Sequence, residues 1–414
     1  MREQTARDIA GPAVAGRRWL TLLAAGFAVG SLMPSLLPGQ RLLAPGLTYS
    51  TQRDAGGPWN IHVVRIDLRA AALSLQAVRA TDQLRGRERV SQMAARLDSG
   101  AARVRVAINA DFFDLASGEN ENNQVLAGEW WKGLKVTDSP FDTFDNAHAQ
   151  LSISASGRAA IDRYQVDARA WSGGAMLPII TVNARRADTP EGMALYTPRF
   201  GVSTPAGGPG RDSASVPTEA TLRRAGVRGD TTLYVRVGAV RTGAGSPIPP
   251  DGAVLVAHGA RASAVQALRD GDTVRVLLTT TPRVQDGRAP ALLVGGWPQL
   301  LRGGIVVAGD AATIEGTISR NAEMRHPRSA VGVSRDGRTV WLYVVDGRST
   351  ASVGMTLVEL AEALRRLGVW DALNFDGGGS TALVVDGHLV NVPSDPAGER
   401  AVGNAVLVME RRRP

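Results

Sequence analysis

The chain has 414 residues, of which 44% are hydrophobic and 21% charged, enough to bury a sizeable core and too apolar for wholesale disorder. Its net charge of +8 is carried almost entirely by arginine, with Lys132 and Lys135 the only lysines, and no basic stripe with interleaved aromatics argues for nucleic-acid binding. The lack of cysteine excludes disulfides, thiolate metal sites, a cysteine nucleophile and a lipobox.

Such a length favours two lobes or one domain with a large insertion. Arg17-Arg18 precede the apolar run Trp19–Gly30, which has the length of a signal-peptide core and falls short of the roughly 20 residues of a comfortable membrane span. Residues 1–33 therefore read as a signal peptide or signal anchor. The rest of the chain is expected outside the cytoplasm, whether secreted, periplasmic or tethered by this segment, with membrane contact only through it. Residues 34–58, rich in Pro and Gly and without periodicity, read as a linker.

The folded body opens with alternating strands at 61–67 and 73–78. Val90, Met93, Ala94 and Leu97 follow at helical spacing and stop near Gly100. A strand over 104–108 ends in Asn109-Ala110-Asp111-Phe112-Phe113. Residues 114–131 are polar and irregular. Glu119-Asn120-Glu121-Asn122-Asn123-Gln124 is an oxygen-rich stretch that could hold Ca²⁺, although it does not match an EF-hand loop, and a solvated loop is the favoured reading. The first part of the main domain is thus placed at 59–170. From 171 to 290 short strands are separated by Gly and Pro signals, which suggests an inserted β-rich lobe. Residues 291–410 return to the main domain. Arg325-His326-Pro327-Arg328-Ser329-Ala330-Val331-Gly332 opens a strand, a hairpin turns at Arg335-Asp336-Gly337-Arg338, and the return strand, 339–345, ends at Asp346-Gly347-Arg348. Thr356 and Glu359 form a capping box for a helix that Gly368 terminates. The expected class is α+β: a mixed, twisted sheet with flanking helices and the β-rich insertion.

The densest chemistry lies at Asn374-Phe375-Asp376-Gly377-Gly378-Gly379-Ser380-Thr381, between two apolar runs. Consecutive glycines are entropically costly and imply positive φ or a close approach to the backbone. Their N–H groups could form an anion-binding concavity; a tight polar turn is the plainer alternative. Asp111, Asp346 and Asp376 each follow an apolar strand, so neighbouring strands would bring three carboxylates to one rim. Two carboxylates suffice for glycosidic cleavage, and Arg325, Arg328 and Arg348 could neutralise a phosphate. Each has a structural alternative: Asp346 as a turn cap, Arg328 in an ion pair, Asp111 as a buried orienting group.

Together, Asn109-Ala110-Asp111-Phe112-Phe113, Arg325-His326-Pro327-Arg328-Ser329, Asp346-Gly347-Arg348, Ser352-Val353-Gly354-Met355-Thr356 and Asn374-Phe375-Asp376-Gly377-Gly378-Gly379-Ser380 resemble, in this order, the phosphodiester glycosidase family. The resemblance implies hydrolysis of a sugar-1-phosphodiester in envelope or exopolysaccharide metabolism. Asp376, Asp346 and Asp111 would be catalytic. Asn109, Arg325, Arg328, Arg348, Asn374, Gly377, Gly378, Gly379, Ser380 and Thr381 would bind the substrate and its phosphate. No cofactor is expected to be required, and the metal question stays open at Ca²⁺. The partner would be a phosphorylated glycan. Glu121-Asn122-Asn123-Gln124-Val125 departs from the element expected there, so sugar identity does not transfer. A non-catalytic glycan-binding or assembly protein and a metal-dependent phosphodiesterase are the competing readings. The second is weakened by the lack of a His-rich ligand cluster.

Overall fold

Alternation in Trp59–Asp67 buries Ile61, Val64 and Ile66 and sends Arg65 outward, the pattern of a strand with one face on a core. This strand lies within an eight-stranded sheet, described here from a computed structural model that covers residues 39–137, 147–184, 192–206, 216–316 and 324–412. The signal-type segment expected at 1–33 lies outside the described residues. In spatial order the sheet runs Gln40–Ala44, Leu47–Asp54, Trp59–Asp67, Thr339–Val345, Arg328–Val333, Asp371–Asn374, Gln299–Arg302 and Ile305–Val306, with every neighbour antiparallel.

The first two of these strands replace most of the expected linker. The Pro and Gly signals there mark the turns of a hairpin, with Gly46 at φ +83°. Leu43, Ala44 and Leu47 are buried in the main core. A short strand with few apolar residues lacks the periodicity that would announce it.

A five-stranded antiparallel sheet, His388–Leu389, Leu383–Val385, Ala102–Asn109, Asn404–Arg411 and Leu73–Arg79, shares that core. Val64, Ile66, Val331 and Leu342 from the first sheet meet Val106, Ile108, Leu383 and Val406 from the second. Each such aliphatic side chain stabilises the fold by roughly 1.5–3 kcal/mol when fully buried. Helices cover the outer faces. Leu357–Arg366 lays Leu357, Leu360, Ala361 and Leu364 against Ala330, Tyr343, Val345 and Ala372. Its capping box is present: the Glu359 amide donates to Thr356 Oγ1 at 3.1 Å, and the Thr356 amide to Glu359 Oε2 at 2.9 Å. Val90–Leu97 covers the other sheet through Val90, Met93 and Ala94.

The strands between Gln165 and Thr281 form a nine-stranded sheet with its own core. A further five-stranded sheet, from Gln124–Leu126 to Leu292–Gly295, feeds Leu151 and Val294 into the main core and Val125 and Leu293 into the other. Residues 38–414 consequently form one compact unit. The α+β class expected from the sequence holds, weighted to strand at 46% against 11% helix. Among the described residues the pairing of Thr181–Val182 with Met193–Tyr196 is the only parallel one between strands. No described helix is long and apolar enough to cross a membrane.

The stretch expected to be a solvated loop is instead interior. Asn120, Asn122, Asn123 and Gln124 are all buried. Asn123 holds the chain by donating from Nδ2 to the Tyr164 carbonyl at 2.8 Å and accepting the Leu134 amide at 2.5 Å. Asn120, Asn122 and Asn123 serve through such bonds as internal braces that composition alone reads as hydration, while the Gln124 side-chain amide is buried without a hydrogen-bond partner.

Candidate active site

The site is set by register. Arg328 pairs with Val345, Ala330 pairs with Asn374, and the Phe375 amide donates to the Ser329 carbonyl at 2.9 Å. Asp346 and Asp376 therefore leave the eight-stranded sheet at the same rim, on either side of Arg328. The second sheet is stitched to that rim by Asn109. Its Oδ1 accepts Ser329 Oγ at 2.7 Å and the Ala382 amide at 3.1 Å, while its Nδ2 donates to the Asp376 carbonyl at 2.6 Å. The Asp376 amide in turn donates to the Ala110 carbonyl at 2.8 Å. Asn109 is thus a buried brace between sheets, placing the backbone that carries Asp111 beside the backbone that carries Asp376.

The three carboxylates nevertheless have different neighbours. Asp376 is partly buried and accepts the Gly377 amide on Oδ1 at 2.9 Å. Burial pushes its carboxyl up to about 6, against the opposing pull of Ser380, Arg400, the Gly377 amide and Arg328. Asp111 is sealed in: Asn122 donates to it from Nδ2 at 2.7 Å and from its amide at 3.2 Å, and burial raises its carboxyl to about 7. A Cβ at Gly295 would come within 2.5 Å of Asp111 Oδ1. Asp346 accepts the Val392 amide on Oδ1 at 2.9 Å and turns Oδ2 toward His62 Nε2 at 3.9 Å, with the Tyr49 hydroxyl 2.8 Å from His62 Nδ1. Its carboxylate braces the 391–400 loop. The three strand ends expected at one rim are brought together there, and each carboxylate has its own set of hydrogen-bond partners.

The glycines do not form the expected anion nest. The Gly377 amide is taken by Asp376, and the Gly378 amide donates to the Pro327 carbonyl at 2.9 Å. Each glycine instead admits a neighbour. A Cβ at Gly377 would lie 2.9 Å from the Pro327 carbonyl oxygen, and one at Gly378 would lie 2.9 Å from Arg348 Nη2. At Gly379 it would come within 2.1 Å of Arg400 Nη2 and 2.2 Å of Asp395 Oδ1. Gly378 also holds φ at +60°, which glycine adopts freely.

The arginines separate in the same way. Arg348 is exposed, stands at φ +61°, and reaches Ser394 Oγ at 3.3 Å and His326 Nδ1 at 3.4 Å. Among the described residues no carboxylate lies within ion-pair distance of it. Arg328 is buried and donates to the Met355 carbonyl at 3.0 Å and the Met324 carbonyl at 2.9 Å. Burial and the repelling Arg348 lower it to about 10, with Asp376 opposing. Arg325, expected at the phosphate, is paired with Glu359 and stacked over Trp59 at 5.8 Å, on the side of the helix start. Asn374 donates to the Trp297 carbonyl at 2.7 Å, and Thr381 Oγ1 is buried without a hydrogen-bond partner.

Sequence reasoning missed Arg400, Asp395, Ser394 and Asn404. The Asn404 side chain accepts the Asp111 amide at 3.0 Å. Their one signal was the Pro- and Asp-marked loop at 391–398, which announces a turn and no chemistry. Among the described residues no group of three or more His, Asp or Glu side chains could hold a metal ion. Glu119, at the head of the oxygen-rich stretch, is bound to Arg85 and Lys132, each at 3.0 Å. Two surface clefts lie elsewhere. One of about 660 Å³ borders Asp98 and Glu410, and one of about 800 Å³ borders Glu129, Trp130 and Arg199. Arg412–Asp98, Arg105–Glu410 and Arg199–Glu129 ion pairs cancel charge there, whereas Arg348 lies against Gly378 with no carboxylate of the described residues in ion-pair range.

Comparison with known proteins finds similarity to one family over part of this rim. The mouse N-acetylglucosamine-1-phosphodiester alpha-N-acetylglucosaminidase is 31% identical over 176 residues, covering 39% of this chain and 34% of that protein. The human one is 33% identical over 164 residues, covering 35% and 30%. The chain thus spans about a third of the length of these relatives. A hypothetical protein from Synechocystis shares the fold, with a TM-score of 0.68 at 25% identity, over 89% of this chain and 63% of that one. The phosphodiester glycosidase family model matches residues 223–409, which hold Arg328, Asp346, Arg348 and Asp376 but not Asn109 or Asp111. Over residues 223–409, therefore, this chain is similar to the phosphodiester glycosidase family.

Proposed function

We propose that this protein is an exported glycosidase that hydrolyses a sugar-1-phosphodiester in envelope or exopolysaccharide metabolism. The observation that carries the reading is an exposed guanidinium with no carboxylate in ion-pair range, Arg348, lying on the bare backbone of Gly378, two residues after the raised carboxyl of Asp376. An anionic phosphodiester fits a cation whose charge the fold leaves uncompensated. Export rests on the N-terminal Arg pair and apolar run, and the sugar ester on the names of the relatives.

In this reading Arg348 holds the phosphate. Ionised Asp376 takes a proton from water as the water oxygen bonds to the anomeric carbon. The bond from that carbon to the phosphate oxygen breaks, and its electron pair leaves with the phosphate monoester. A phosphate is a good leaving group, so protonation by an acid matters less than in ordinary glycosidases. Stabilising the charge that develops on it matters more. Asp346 serves by bracing the loop that carries Ser394, and Asn109 by fixing Asp376.

Turnover in ¹⁸O-labelled water tests this. Label in the sugar supports it. Label in the phosphate would make the protein a phosphodiesterase. Binding of a sugar phosphodiester without turnover would make it a glycan-binding protein.

A further inference from the structure

The cleft of about 800 Å³ shares no lining residue with the rim, and two hairpin tips border it. One is Ala127-Gly128, between Gln124–Leu126 and Glu129–Lys132; the other is Gly229-Asp230, between Thr218–Arg228 and Thr231–Arg236. The second hairpin outruns its sheet. Gly252–Ala257 pairs with Thr218–Arg228 only as far as Arg223, opposite Gly252, and a bulge between Arg224 and Gly226 bends the strand beyond that point. The core of the nine-stranded sheet is left open at this end, and its edge becomes the floor of the cleft.

Trp130 and Tyr234 belong to that core, Leu278 packs against it, and all three line the cleft. Val227, 55% exposed, adds an apolar wall. Trp130 and Tyr234 are 5% and 8% exposed, and aromatic groups so buried normally find a partner for their polar atom. Here Trp130 Nε1 has none, and the Tyr234 hydroxyl is bonded to no described residue.

The charged border is mixed and only partly paired. Arg199 forks onto Glu129, Nε to Oε1 at 2.9 Å and Nη2 to Oε2 at 2.6 Å, and stacks over Trp131 at 4.4 Å. Arg224, Asp230 and Asp251 are exposed and, among the described residues, in no ion pair. Glu129, Asp230 and Asp251 outnumber Arg199 and Arg224, so the cleft has no excess positive charge to recruit an anion.

An apolar, aromatic floor calls for a ligand with an apolar face. Donors from the indole and Arg224, set among acceptors from Asp230 and Asp251, call for ligand groups that both accept and donate. A sugar ring supplies both, since its C–H face is apolar and each hydroxyl donates one proton and accepts on its oxygen. A phosphate only accepts and would meet the carboxylates; a lipid chain would leave the Trp130 N–H unanswered.

We infer that this cleft is a saccharide-binding site separate from the rim. It takes a short, uncharged stretch of glycan, with a ring against Trp130, Tyr234 and Leu278 and hydroxyls on Arg224, Asp230 and Asp251. Its volume lies within the roughly 300–1,000 Å³ of small-ligand clefts. The site goes beyond the function proposed above and needs no turnover at Asp376. Where both hold, the lobe anchors the glycan and the rim cuts it.

The test is an NMR titration of the ¹⁵N-labelled full chain with linear trisaccharides of glucose, mannose and N-acetylglucosamine. It follows the indole N–H signals, with Trp130→Phe assigning that of Trp130. At least one trisaccharide should move the Trp130 signal saturably. Tyr234→Phe and Arg224→Ala should each raise its dissociation constant about fivefold to tenfold, the scale of one lost hydrogen bond, and Arg348→Ala should leave it unchanged. Three results would each overturn the site: a Trp130 signal that none of the three moves, a movement that both cleft variants leave intact, or one that Arg348→Ala abolishes. Tighter binding of trigalacturonate than of every neutral trimer would overturn the choice of an uncharged ligand. Should Tyr234→Phe not fold, Arg224→Ala, at an exposed position, decides alone. A protein that binds here and cuts no sugar phosphodiester loses the proposed function and keeps this site; one that cuts and does not bind here does the reverse.

Discussion

Arg348 and Gly378 are in such close apposition that a single methyl group on the glycine would sit 2.9 Å from the arginine's Nη2. The guanidinium lies on bare backbone, and both residues hold positive φ, +61° and +60°. Positive φ in a non-glycine residue is costly and persists where surroundings impose it. The two bends are complementary: one presents a cation, the other clears the space it occupies.

Gly378→Ala should therefore cost about 1–2 kcal/mol in stability from the left-handed backbone alone, and displace the tip of Arg348. Gly379→Ala should separate Arg400 from Asp395, because both lie well inside contact distance of the new methyl. Urea denaturation gives the first effect. Inhibition by inorganic phosphate, expected to weaken in Gly378→Ala, gives the second readout.

Arg348→Gly should split stability from function. It relieves a backbone penalty of about 1–2 kcal/mol and adds a glycine entropy cost of roughly 0.5–1 kcal/mol. The urea midpoint should consequently hold or rise slightly while phosphate inhibition falls by an order of magnitude or more. A large drop in the midpoint would mean that Arg348 is structural.

Asp376→Asn should lower turnover at least ~100-fold with the fold retained, as expected for loss of a positioned proton acceptor. With its carboxyl raised to about 6, kcat/KM of the unaltered protein should decline as pH falls below that value, since protonation removes the base. Activity undiminished at pH 5 would take Asp376 out of this role.

Asp111 makes a stability prediction with a definite sign. Its folded carboxyl titrates near 7, whereas an unfolded aspartate ionises near 4. Between those values the folded chain binds the proton that the unfolded chain has released, so stability falls as pH rises through the window. Asp111→Asn should flatten that decline, seen as a smaller difference between urea midpoints at pH 4.5 and 7.5. It should also cost about 1 kcal/mol at pH 4.5 through one lost bond to Asn122.

Chelator should leave turnover intact, because Glu119 is already neutralised by Arg85 and Lys132. A rise in melting temperature on adding Ca²⁺, of the size mass action gives a tight site, would contradict this.

Much of the frame was readable from the sequence. The strands around Ile61, Val106 and Val331 alternate or run apolar because they face a core, and the helix after Thr356 announces both its ends. Asp376 stood out because three glycines need a reason. Their reasons were not readable: Pro327, Arg348 and the Asp395–Arg400 pair approach from distant points of the chain, and local pattern carries no record of what arrives from afar. The same blindness turned the buried asparagines at 120–123 into a hydrated loop. It also sent Arg325 to the phosphate, when Glu359, placed by a helix cap, held it.

The strand Asn404–Arg411 lies between Leu73–Arg79 and Ala102–Asn109, in the interior of its sheet. The two early strands have nothing to bridge them until the ribosome has made the late one, about three hundred residues on. Asp111, whose amide is held by Asn404, waits as long. Pairings of such separation form slowly, so this sheet stays open in the nascent chain until that late strand exists, and the candidate rim takes shape only after it.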